Sequence, residues 1–181
     1  MDEKLRKQKY RIELLTAGMV LGLAMVAVLL LQYGTRNLGS VFVAGALSCA
    51  TLVSIVAVFV FYGRRAAALC PPDPAARPNG FTYGRAFGFS LLVSLLSGIV
   101  YGAGYFWMAE VVDPHYFGQV IDRAAELYDS SGLMTAEQMQ EMKAMMHNQW
   151  ILIAGHMLAM AMQGGFVALF TSAVVRHRPN R

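Results

Sequence analysis

Two groups of side chains in this sequence have types and spacings that could do chemistry. His156 and Gln163 stand seven residues apart, which puts them on one face of a helix, and Ser90, Ser94, Ser97 and Tyr101 form a comparable stripe earlier in the chain. Imidazole, amide and hydroxyl groups in an apolar setting can line a small polar cavity or hold a lipid headgroup; they can equally hydrogen-bond one helix to the next. The second group is a methionine series, Met134, Met139, Met142, Met145 and Met146, with His115 and His147 nearby. Thioether and imidazole ligands suit Cu(I) if they converge. The same methionines at helical spacing also make an adaptable apolar seam, and that seam is the expected role, with no metal and no cofactor. No HExxH, GxSxG, phosphate-binding loop, paired-cysteine or GxGxxG motif occurs. Glu13, the one acid near the body of an apolar run, sits at its end beside Arg11. An enzyme is not expected.

The elements that carry these residues are set by composition. Of 181 residues, 56% are hydrophobic and only 14% charged, against roughly 25% charged in soluble domains. The apolar residues fall in four runs, about 14–32, 38–62, 86–109 and 150–175, each near the ~20 residues that a spanning helix needs. A lipid-exposed backbone must satisfy its own hydrogen bonds, and the runs lack the alternation of barrel strands. The expected fold is therefore an all-α membrane protein with four transmembrane helices.

Charge orients it. Lys4, Arg6, Lys7, Lys9 and Arg11 precede the first run; Arg64, Arg65, Arg77 and Arg85 lie in the 63–85 loop; Arg176, Arg178 and Arg181 follow the last run. The opposite side carries only Arg36, Arg123 and Lys143. The positive-inside rule then places both termini and the 63–85 loop in the cytoplasm. These cations serve as topological anchors beside membrane lipids, so the net charge of +4 does not imply nucleic-acid binding. Cys49 and Cys70 fall on a span and a cytoplasmic loop, where a disulfide is not expected. Tyr33, Tyr62, Tyr83, Tyr105, Phe106, Trp107 and Trp150 mark the expected interfaces. The first run should remain as an anchor rather than be cleaved as a signal peptide.

Between the third and fourth runs, residues 111–149 read as an extracytoplasmic helical hairpin. Phe117, Ile121, Ala124 and Tyr128 follow Pro114 at helical spacing, and Ser130-Ser131-Gly132 breaks that helix. Thr135 with Gln138 makes a capping box for a second helix, which is expected to run without interruption into the fourth span. The 63–85 loop, with Pro71, Pro72, Pro74, Pro78 and Asn79-Gly80, reads as an irregular tether. Small residues recur at spacing four: Gly18 and Gly22, Gly45 and Cys49, Ser94, Gly98 and Gly102. These permit close helix approach, inside a compact bundle or against a partner; Met139, Met142 and Met146 are further candidates for a partner face.

The four spans, the Asn79-Gly80-Phe81-Thr82-Tyr83-Gly84-Arg85-Ala86-Phe87 segment, the Asp113-Pro114 exit and the Ser131-Gly132 break together resemble a domain-of-unknown-function family of small bacterial inner-membrane proteins. The resemblance implies a four-span protein of the cytoplasmic membrane with an outer hairpin, and work on polyprenyl-phosphate glycans through a partner enzyme. It supplies no catalytic residue. The expected function is a non-enzymatic accessory or interaction subunit that binds another membrane protein or itself. The alternatives are a small carrier or lipid-handling protein using the polar face between spans three and four, and a periplasmic copper-responsive protein.

Overall fold

The computed structural model describes residues 3–38, 40–70, 81–130, 135–146 and 148–175. Those residues form helices and no strand. The order is α1 (Glu3–Gly34), a 3-10 turn (Arg36–Leu38), α2 (Val41–Leu69), α3 (Tyr83–Trp107) ending in a π turn (Met108–Val112), α4 (Pro114–Ser130), α5 (Ala136–Met146) and α6 (Gln149–Val175). The helices α1, α2, α3 with its π turn, and α6 are each long and apolar enough to cross a membrane.

Helices outrun the apolar runs at several ends. At about 1.5 Å per residue, α1 is roughly 48 Å long, well beyond a ~30 Å hydrocarbon core, so its charged first turns project past the bilayer. Expected as loop, residues 63–69 instead continue α2 to Leu69, because Arg64, Arg65 and the alanines that follow are good helix formers wherever the chain leaves the lipid. At the other end of that loop α3 begins at Tyr83, with the Thr82 hydroxyl accepting from the Arg85 amide at 3.4 Å. The proline-rich 71–80 segment and the Ser131-Gly132 break lie outside the described residues.

In the centre of the bundle, α3 packs along α1 on one side and α6 on the other, and α2 closes the ring against α1 and α6. The core runs through Ala17, Leu21, Phe59, Phe89, Val93 and Ala168. A smaller cluster of Leu29, Met108 and Phe117 seals the end where α4 crosses.

The α4–α5 hairpin is present, and the capping box forms as expected: Thr135 N–H donates to Gln138 Oε1 at 2.9 Å, and Gln138 N–H donates to Thr135 Oγ1 at 3.3 Å. The single long helix does not form. The chain interrupts it between Met146 and Gln149, where Asn148 Oδ1 accepts from the amides of Trp150 (3.0 Å) and Ile151 (3.4 Å). An asparagine side chain competes for amides that would otherwise bond to the preceding turn, so it starts a new helix without any proline. Asn148→Ala is expected to cost about 1 kcal/mol of local stability, read as roughly fivefold faster hydrogen exchange at Trp150 and Ile151.

Candidate functional site

Ser90, Ser94 and Ser97 are all buried on α3, yet their hydroxyls are not aimed at another helix. Ser94 Oγ donates to the Ser90 carbonyl at 2.9 Å and Ser97 Oγ to the Ser94 carbonyl at 2.8 Å. The small size of Ser94 matters more than its polarity: Gly164 of α6 seats directly on it, beside Phe59. Farther along, Tyr101 and Tyr105 enclose His156, with ring centroids 4.9 and 4.6 Å from the imidazole. Gln163 stands apart, exposed on α6. At about 100° per residue it lies only ~20° round the helix from His156. The buried line of α6, however, runs through Met160, Gly164, Val167 and Thr171, so both residues fall on its rim and only His156 meets aromatic partners. The expected polar face is thus divided into spent serines, an aromatic–histidine cluster and a separate glutamine.

Spacing alone did not reveal a polar network at the hairpin end. Asp113 Oδ2 accepts from the Tyr33 hydroxyl at 2.8 Å and pairs with Arg36 Nη1 at 2.9 Å, while Asp113 Oδ1 caps α4 by accepting from the Tyr116 amide at 3.0 Å. The Arg36 guanidinium lies 4.0 Å from the Tyr33 ring centroid and 4.8 Å from that of Tyr116. Tyr33, Tyr116, Phe117 and Tyr105 continue by edge-to-face contacts, and Tyr105 meets His156 with its ring tilted at 50°. The Asp113-Pro114 pair was the available signal, since aspartate at the N-cap followed by proline opens a helix. Next to this network is a cleft of ≈ 320 Å³ whose lining includes Arg36, Asp113, His115, Tyr116 and Arg123.

The Tyr116 amide, the Tyr33 hydroxyl and Arg36 hold the Asp113 carboxyl below its ordinary value of 3.8. A depressed carboxylate contributes stability above that value and loses it as pH falls through the lower folded-state value. Labels at Asn37 and Gln119, in a cysteine-free background, should therefore give a narrow spin–spin distance at neutral pH that broadens only below about pH 4. Asp113→Asn should broaden it at neutral pH as well.

The small-residue positions now separate. Gly18 and Gly22 of α1 receive Leu96 and Val100 of α3; Gly98 and Gly102 of α3 receive the α6 backbone at Met157 and Ile153. These glycines build the bundle itself. Gly45 does not: among the described residues, nothing lies within 4 Å of where its Cβ would stand. No residue from Val41 to Ser54 is buried, and burial on α2 begins at Ile55. Val41 and Phe42 are 88% and 84% exposed. Phe42, Gly45, Cys49, Leu52 and Val56 recur at helical spacing, so they form one stripe with a hollow at Gly45 and Cys49 between larger side chains.

On α5, Met142 is half-buried and Met145 exposed. The side chains of Met139 and Met146, together with Met134 and His147, lie outside the described residues. Among the described residues, no three His, Cys, Asp or Glu side chains group as metal ligands would.

No curated protein and no solved structure matches the chain. A family described as a protein of unknown function, DUF4199, matches residues 16–177. That match takes in the first membrane-length helix from residue 16, the other three entire and the hairpin, and the chain belongs to this family.

Proposed function

We propose that this protein is a non-enzymatic interaction subunit of a membrane complex, which receives a transmembrane helix of another membrane protein on the Gly45–Cys49 face of α2. The observation that carries this reading is a contrast between small-residue pairs: Gly18 with Gly22 and Gly98 with Gly102 are filled from within the chain, while among the described residues nothing fills the space at Gly45, where the surrounding turns of α2 are unburied as well; Gly84, Gly88 and Gly155 are open singly or at a helix start. Helix association in lipid is driven by close van der Waals packing at small residues and not by apolar area, so an unfilled hollow is a stronger pointer than exposed leucine. The proposed setting is the bacterial cytoplasmic membrane with both termini inside. What supports it is the charge at the two ends: Arg6, Lys7, Arg11, Arg64, Arg65 and Arg85 gather at one end of the bundle, while Arg36 and Arg123 are at the other.

Extraction of the tagged protein from native membranes in mild detergent tests the reading. One partner should be recovered in fixed stoichiometry, an envelope glycan enzyme being the class that the resemblance implies. Recovery of the chain alone, or only as a multimer of itself, contradicts it.

A further inference from the structure

At the opposite end of the bundle from the hairpin, the first turns of α1 meet the end of α2 and the start of α3 around a cleft of ≈ 530 Å³. Its rim carries Arg6, Lys7, Arg11 and Arg85. Among the described residues one carboxylate faces them, Glu3, which pairs with Lys7 at 2.7 Å. Arg6 is half-buried, and among the described residues neither Arg6 nor Arg11 forms a salt bridge. The floor is apolar, with Leu14, Leu69 and the fully buried Phe81. Tyr10 braces the α1 wall against Phe89 of α3 at 5.8 Å between ring centroids. The other flank of α1 is tied to α2 by Glu13 and Arg65 at 2.8 Å. The N-terminus of α3, whose peptide dipoles present positive charge, opens onto the same space.

We propose that this cleft binds the phosphate of an anionic lipid headgroup. Two features favour a phosphate, and a third favours one attached to a lipid over a free one. Among the described residues, the cations of the lining outnumber its one carboxylate. They are fixed on helices that pack together, and do not lie on a free tail. The apolar floor begins where the apolar run of α1 begins, at Leu14, so a lipid seated there keeps its acyl chains in the bilayer while its phosphate reaches the arginines. A soluble phosphate would gain only the charged rim.

The full-length protein in a neutral detergent, titrated with phosphatidylglycerol, phosphatidylcholine or water-soluble glycerol phosphate, tests this by native mass spectrometry and thermal melting. Phosphatidylglycerol should bind and raise the melting temperature, and the other two should not. Arg6→Gln with Arg11→Gln should weaken phosphatidylglycerol binding on the order of thirtyfold, from the loss of two headgroup contacts. Lys4→Gln with Arg64→Gln, equal in charge change but outside the cleft lining, should leave it within about twofold. Equal losses in the two variants, equal binding of both lipids, or glycerol phosphate binding as tightly as the lipid would each overturn the proposal. The comparison of ligands on the unmodified protein decides it even where the double variant does not fold.

Discussion

Gly98→Leu is expected to abolish the folded bundle. A Cβ at position 98 would stand 2.6 Å from Met157 Cα and 3.0 Å from the His156 carbonyl oxygen, and both are backbone atoms that cannot rotate away. The α3–α6 interface would have to open along its length, displacing His156 from Tyr101 and Tyr105 and unseating Gly164 from Ser94. Overpacking of this kind costs about 3 kcal/mol or more. The measurement is detergent melting by circular dichroism, with Ser94→Ala as comparison. Ser94 bonds only within its own helix, so its removal should cost less than about 1 kcal/mol.

Gly45→Leu should do the reverse. Nothing among the described residues occupies the space, and leucine is the better helix former by somewhat under 1 kcal/mol, so melting should be unchanged or slightly raised. Partner recovery should collapse, because the new side chain fills the hollow that we assign to an incoming helix. Steric overpacking of about 2 kcal/mol at that contact corresponds to roughly thirtyfold weaker association. The same change in residue type at two glycines thus separates folding from binding, which no single variant would do.

Length, apolarity and caps were legible from sequence because each is local. The four membrane helices follow from their runs, and the Thr135–Gln138 capping box follows from two residues three apart. Helix ends were less legible, since hydropathy marks where the chain leaves lipid and not where the helix stops; α2 therefore continues through Arg64 and Arg65 to Leu69. The break at Asn148 is not marked by hydropathy or by proline, because it rests on one side chain taking the amides of Trp150 and Ile151. Pairings between distant residues were not legible at all. Arg36 and Asp113 are 77 positions apart, and nothing in either segment names the other. Gly18 and Gly45 make the same small-residue signal, yet Leu96 fills the one and, among the described residues, nothing fills the other, a difference set by tertiary packing that spacing does not carry. His156 and Gln163 lie about 20° apart round α6, but seven-residue spacing does not say whether that side is the centre of an interface or its rim.

The open face of α2 is tested most directly by cross-linking in intact native membranes from Cys49, which is exposed. A thiol-directed photo-cross-linker on Cys49, or on Leu52→Cys one turn further, should capture a single partner protein of defined mass. In a Cys49→Ser, Cys70→Ser background, the same reagent on Phe166→Cys, which is 66% exposed on α6, should capture none. Equal capture from both helices, or from Cys49 only lipid or a second copy of the chain, would contradict a partner docked on α2.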